Sequence, residues 1–259
     1  MADGDTPAPG HDRDMRRITA TTTALALAGL IGLTGCALKL DAKDVHTAQS
    51  FPYTGPQLAI KSSMGGLRIM PGTGTTVQVE RWLRGKAADD GNASWSLRDG
   101  TLRLSANCTV VFGDCGARYH VKVPPGIRLT VDGGDDGVIL QNLTQDVDVS
   151  NGGSIKAYDM AGKLRLLSDD ATITGERLKS PSVRVRSNTG AINLSFAVPP
   201  SNLDLLSKDG QVTATVPAGA YRVTARSKDG AEQSEIKSTE SDRTIVAKSN
   251  TGDVRIIAR

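Results

Sequence analysis

The chain has 259 residues, with 31 Lys and Arg against 28 Asp and Glu (formal net charge +3), 28 Gly, three His and only 3% aromatic residues. The near-neutral balance leaves no electrostatic footprint for nucleic acid, and three His argue against a His-rich metal site. Large side chains are too few for a thick core, and the length accommodates one or two domains.

Residues 1–35 read as an export signal. Arg16-Arg17 supplies a positive n-region, and the apolar run Ala24 to Leu33 supplies a ten-residue h-region. That run fits the roughly 7–15 residues of a secretory signal and falls well short of the ~20 that a spanning helix needs. It ends in Leu33-Thr34-Gly35-Cys36, which matches a lipobox. Lipoprotein signal peptidase cuts before such a Cys once a diacylglycerol has been attached to its sulfur. An ordinary signal peptide, or a short signal anchor, is the alternative. Asp3, Asp5, Asp12 and Asp14 make a poor n-region, and a start at Met15 instead of Met1 would give a signal of conventional length. The Arg pair resembles a twin-arginine signal only weakly, because Thr19 and Ala20 stand where apolar residues belong.

Cleavage before Cys36 leaves 28 basic and 24 acidic residues, a net +4. The two acyl chains of a diacylglyceryl-cysteine meet the requirement for stable anchoring. The expectation is a lipid-anchored protein on the extracytoplasmic membrane face. Residues 36–50 show no strand pattern and read as a tether.

Residues 51–125 read as an N-terminal β cap. Trp95-Ser96-Leu97-Arg98-Asp99-Gly100-Thr101-Leu102-Arg103-Leu104 predicts a hairpin turning at Asp99-Gly100, a type I′ sequence. Cys108 and Cys115 follow, with six residues between them. In an oxidising compartment such a pair is most simply a disulfide, contributing about 2 kcal/mol for so short a loop. A redox or metal pair is disfavoured, since the spacing is not C-x-x-C and the loop holds no His.

Residues 126–259 read as a repeat. Six turn motifs align on Ser150, Ser168, Ser187, Ser207, Ser227 and Ser249, with steps of 18, 19, 20, 20 and 22. Each Ser leads a turn of Asn, Asp, Lys, Thr and Gly, residues that tolerate left-handed backbone or favour tight turns. Four residues before the Ser stand Leu164, Val183, Leu203, Val223 and Ile245, and two before it Leu166, Val185, Leu205, Ala225 and Ala247. Aliphatics return after the turn at Ile155, Ile173, Ile192, Val212 and Val254, with Glu232 as the exception in the fifth copy. Period-two alternation predicts strands, and return at constant phase predicts a β-solenoid of about seven coils. An antiparallel meander or sandwich is the alternative fold. The last copy, ending in Asp253, Arg255 and Arg259, is expected to cap the rod.

The paired Cys, the passage Tyr119-His120-Val121-Lys122-Val123-Pro124-Pro125-Gly126, and serial S-N-x-G turns closing on Ser249-Asn250-Thr251-Gly252-Asp253-Val254 resemble the putative-adhesin family. These are β-strand-repeat bacterial envelope proteins with a domain of unknown function. The resemblance spans about residues 51–259. It implies an extracellular β-solenoid-like domain and brings no catalytic residue.

A search for chemistry finds no H-E-x-x-H, G-x-S-x-G, Walker loop or supported S-x-x-K. Gly133-Gly134-Asp135-Asp136-Gly137-Val138-Ile139-Leu140 fails the calcium nonapeptide pattern. Asp135, Asp136, Asp169 and Asp170 are candidate oxygen ligands at neighbouring turns, but solvated turn carboxylates explain them, and no metal or cofactor is implied. The expected interaction edge is the turn ladder: Ser150, Asn151, Ser168, Asp169, Ser187, Asn188, Ser207, Asp209, Ser227, Asp229, Ser249 and Asn250. The expected function is a non-catalytic, adhesin-like structural or interaction module at the cell envelope. Its candidate partners are wall polymer or an envelope protein. An accessory or sensor of envelope-stress signalling is the alternative.

Overall fold

The alternation predicted from sequence becomes β-strand almost throughout the computed structural model, which describes residues 43–108 and 114–259. The export signal, the lipobox, Cys36 and the centre of the disulfide loop lie outside the described residues. The chain runs through β1 (Asp44–Pro52), β2 (Gln57–Ser62), β3 (Gly66–Pro71) and β4 (Thr76–Gly85) to one turn of 3-10 helix (Lys86–Ala88). Then come β5 (Ala93–Arg98), β6 (Thr101–Ala106), β7 (Cys115–Val123), β8 (Arg128–Asp132), β9 (Val138–Gln141), β10 (Val147–Asn151) and β11 (Ile155–Tyr158). The repeat continues as β12 (Leu164–Ser168), β13 (Ile173–Leu178), β14 (Ser182–Ser187), β15 (Ile192–Phe196), β16 (Asn202–Ser207) and β17 (Val212–Val216). It ends with β18 (Arg222–Ser227), β19 (Glu232–Ser234), β20 (Thr244–Ser249) and β21 (Val254–Ala258).

These strands form two sheets. One is ordered β1-β4-β7-β3-β9-β11-β13-β15-β17-β21-β19, the other β18-β20-β16-β14-β12-β10-β8-β2-β6-β5. Each layer contributes one strand to each sheet, and equivalent strands pair in parallel, so the fold is a β-solenoid. Register follows the sequence phase. Leu164 pairs with Val183, Val183 with Leu203 and Leu203 with Ile245, while Leu166, Val185, Leu205 and Ala247 run beside them. Across the interior Ile155, Ile173, Ile192, Val212 and Val254 form the facing ladder. All these side chains are buried in one continuous core. Aliphatic ladders suit a narrow interior, which is how the fold does without aromatics.

The structure departs from expectation in four places. First, strand begins at Asp44, where β1 pairs antiparallel with β4 from Asp44↔Arg84 to Pro52↔Thr76, so the described end of the 36–50 tether is edge strand. Its side chains are mostly exposed, which hid the alternation.

Second, the boundary at 125/126 does not separate two architectures. β2/β3 and β6/β7 are layers of the same rod, joined in parallel to β8 and β9. Leu58, Ile60, Ser62 and Leu67 hold the repeat phase, but their turn lacks Asn and Asp. Closure of this end falls to the antiparallel strands β1, β4 and β5. The β5–β6 hairpin turns as predicted, with φ of 48° at Asp99 and 70° at Gly100. Phe51, Tyr53, Trp95 and Leu97 pack over the end of the core.

Third, the described residues form nine layers, and their order is not the chain order. At the N-terminal end β6/β7 stacks outside β2/β3; at the other end β18/β19 stacks outside β20/β21. Nine layers at ~4.8 Å make a rod about 38 Å long. The last copy is therefore an inner layer, and the fifth is the cap. Glu232 explains the exchange. It occupies the inward ladder position opposite Val254, where a further layer would bury it unpaired. As the end it accepts a hydrogen bond from the Ser227 amide at 2.9 Å and pairs with Arg226 at 3.2 Å.

Fourth, the repeat glycines are not left-handed. Gly153, Gly190, Gly210, Gly230 and Gly252 are absent from the positive-φ residues. A Cβ on Gly210 would stand 2.3 Å from the Gly190 carbonyl oxygen, and one on Gly252 2.4 Å from that of Gly210. Close stacking of successive turns requires glycine there.

Candidate interaction surfaces

Half of the expected turn edge is interior. A Ser at the end of a strand whose second and fourth preceding residues face inward must also face inward. Ser168, Ser187 and Ser249 are buried, Ser207 is completely so, and Ser227 is half-buried in the end layer. Their hydroxyls knit the corners. Ser207 Oγ donates to the Gly190 carbonyl at 3.0 Å and accepts from the Gly210 amide at 2.9 Å. Ser249 and Ser227 repeat the pattern on Gly210 and Gly252. The first copy is out of phase: Asn151, not Ser150, pairs with Ser168. The Asn151 amide donates to the carbonyl oxygens of Asp136 and Ser154, while Ser150 is exposed. Replacing Ser207 by alanine should cost about 1–3 kcal/mol, because two corner groups lose their partner in the interior. A urea titration measures it, and an unchanged midpoint would remove the corner role.

The exposed part of the edge comprises Ser150, Asp169, Asn188, Asp209, Asp229 and Asn250. Asn188 Nδ2 donates to Asp169 Oδ1 at 3.3 Å. With Asp135 and Asp170 also exposed against Lys208 and Lys228, the edge is acidic. Among the described residues no group of three or more acidic, His or Cys side chains is placed to hold a metal ion.

The opposite charge collects on the outer face of the sheet running from β18 to β5. Its outward strand positions hold ten Lys or Arg and three Asp. Some cations are paired: Arg165 reaches Asp148 at 2.9 Å, and Arg184 reaches Asp204 at 3.2 Å. Such exposed pairs contribute little to stability. Lys61, Arg98, Arg103 and Lys248 have no ion-pair partner among the described residues. The alternation of polar outward positions is legible in sequence, but the shared face is visible only once the parallel register is known.

A third feature lies on the other sheet, near the start of β1. Trp82 on β4 has His46 and Arg118 as its cross-strand neighbours. His46 stacks on the indole at 4.6 Å with planes 6° apart, and the Arg118 guanidinium lies 4.8 Å from the ring centroid. Both flanking groups occupy ring faces, so this Trp is no open sugar-stacking platform. His120 meets the same ring edge-on at 4.5 Å. Burial, then the charges of Arg68 and Arg118, hold its imidazole below the usual His range, against a smaller opposing pull from Glu80. Folded His120 thus stays neutral where the unfolded chain, titrating near 6.5, takes up a proton. Stability at this residue is full above that pH and declines as pH falls through it. Thermal melts should show wild type losing its margin over His120→Gln below about pH 6.5. Parallel curves would refute the assignment. Beside it Tyr119, inward-facing, is pushed up to about 12 by burial and stays neutral.

Cys108 and Cys115 form the expected disulfide, with Cα atoms 5.7 Å apart.

No protein-family model matches the chain, and no curated protein sequence matches it. Among solved structures it is similar to a "putative adhesin" from Bacteroides fragilis, at 14% identity over 82% of this chain and 97% of that one, with a TM-score of 0.47. A second "putative adhesin", from Parabacteroides distasonis, shares 10% identity over 82% and 97%, with a TM-score of 0.41. A "putative cell adhesion protein" from Clostridium sporogenes shares 12% identity over 84% and 100%, with a TM-score of 0.36. At 10–14% identity these likenesses assign no partner to the chain.

Proposed function

We propose that the protein is an extracytoplasmic lipoprotein, anchored through a diacylglyceryl group on Cys36, whose rod is a non-catalytic interaction module at the cell envelope. The observation that carries this reading is the division of labour in the rod. Inward ladder positions hold aliphatic side chains and self-satisfied Ser hydroxyls, and the charged residues are displayed on outer faces and edge. That arrangement makes a stiff display scaffold. The sequence of residues 16–36 supports the anchor. Wall polymer and envelope proteins are the partners such a surface would meet.

Two measurements test this. Mass spectrometry of the mature protein is expected to find an N-terminal diacylglyceryl-Cys36, and Cys36→Ala is expected to leave unprocessed precursor. Pull-down on isolated envelopes is expected to weaken several-fold in an Asn188→Ala/Lys208→Glu variant with an unchanged melting temperature, since both side chains are exposed. Turnover of a wall glycan by the purified protein would overturn the non-catalytic reading. Co-purification of one stoichiometric signalling protein would favour the envelope-stress alternative.

A further inference from the structure

The basic sheet face also carries apolar side chains in a regular arrangement. One outward row runs, by strand pairing, Leu167–Arg186–Leu206–Lys248–Arg226. Neighbours in that row are about 4.8 Å apart, and two leucines are interleaved with Arg186, Lys248 and Arg226, of which Arg186 pairs with Asp204 and Arg226 with Glu232. Leu206 is 37% exposed and is one of two large apolar side chains exposed among the described residues. Toward the N-terminal end the row continues through Ser150 and Asp132 to Lys61 and Arg103.

We propose that this face lies against an anionic phospholipid surface, so that the rod lies flat on its membrane. The inference rests on the proposed anchoring at Cys36. Three observations converge on a bilayer. The excess of Lys and Arg is complementary to anionic headgroups, which attract basic segments within a Debye length. Interleaved leucines suit the boundary between headgroups and acyl chains, where amphipathic surfaces bury their apolar groups. Finally, seven residues separate Cys36 from β1, a reach of about 25 Å when extended. That is less than the length of the rod, so the anchor keeps the rod beside the bilayer, although β1 itself belongs to the other sheet. An extended polymer would meet the cations equally well but gives the exposed leucine no role. With this face down, the acidic turn edge and the opposite sheet remain free for other partners.

Lysine footprinting on the intact lipidated protein tests the orientation. The protein is reconstituted in vesicles of phosphatidylcholine alone, or of phosphatidylcholine and phosphatidylglycerol in equal parts, and labelled with an amine-reactive reagent. Phosphatidylglycerol is expected to slow labelling of Lys61 and Lys248 by about five-fold or more, with reversal at high salt. Lys156, exposed on the opposite sheet, should keep its rate. In Leu206→Ser/Lys248→Glu, whose altered side chains are exposed, the protection of Lys61 should fall with no change in melting temperature. Equal labelling of Lys248 and Lys156 in anionic vesicles would overturn the proposal. So would protection of Lys248 by soluble poly(glycerol phosphate) but not by vesicles, which would make the face a polymer site. Failure of the anchor itself registers separately, as loss of flotation with pure phosphatidylcholine vesicles and no acyl mass on Cys36.

Discussion

Replacing Gly190 by alanine is expected to destabilise the rod by about 3 kcal/mol, at the upper end of what overpacking costs. The added methyl would stand 2.0 Å from the Ala171 carbonyl oxygen and 2.9 Å from Ser187 Oγ. The first of these is backbone in the short turn between the paired strands β12 and β13, so it cannot swing away as a flexible side chain would. For a domain of this size each kcal/mol moves the melting temperature by about 2–4 °C, so the drop should be roughly 6–12 °C. Gly74→Ala is the informative contrast. Gly74 has φ of +68° and no atom within 4 Å of its would-be Cβ. It is glycine for its left-handed backbone alone, so alanine there should cost only about 1–2 kcal/mol. Calorimetry on the two variants separates crowding from conformation. A Gly190→Ala melt within 2 °C of wild type would mean that the turns do not stack as closely as the structure has them.

That contrast also marks what the sequence could and could not convey. A tight turn and a crowded turn both select glycine, and only stacking distinguishes them. The aliphatic phase favours parallel register over the antiparallel alternative, because residues that return at the same place in every copy can then stack on one another. The inward direction of the Ser ladder was equally legible by parity: Ser207 lies two residues past Leu205 and four past Leu203, both of which face the core. Turn chemistry points such a Ser to an exposed edge, whereas strand parity points it inward, and parity prevails. The layers at 57–71 and 101–123 were harder to see. Ser62 lacks the Asn or Asp that marks other turns, and 29 residues, 72–100, intervene between them. The basic face was not legible at all, since its charges come from strands far apart in the chain. Stacking order is the deepest gap. Copies in the same phase are interchangeable as neighbours, and a single carboxylate, Glu232, distinguishes an end from a middle.

Removal of residues 244–259 should therefore be far more damaging than loss of a terminal solenoid coil. In a rod stacked in chain order, such a truncation sheds the outermost layer and exposes one new end. Here it removes β20 and β21 from between β16/β17 and β18/β19. Ile245, Val254 and Ile256, all nearly or fully buried, leave the core, each taking about 2 kcal/mol of burial with it. The total approaches the 5–15 kcal/mol by which folded domains are typically stable. The repeat phase offers one escape. β18/β19 could slide inward, placing Val223 and Ala225 on the ladders of Leu203 and Leu205. That slide sets Glu232 against Val212, the position now filled by Val254. Because β18/β19 stays the outermost layer, the carboxylate keeps its bonds to Ser227 and Arg226 within that layer. The slide restores strand pairing but not the burial of Ile245, Val254 and Ile256, so the chain ending at residue 243 should melt at clearly lower temperature. Glu232→Val should not restore it. In the full-length protein the same substitution should change stability by little more than the exposed ion pair it removes, under about 1 kcal/mol. A truncated chain that keeps the wild-type melting temperature would refute the exchanged order of the last two layers.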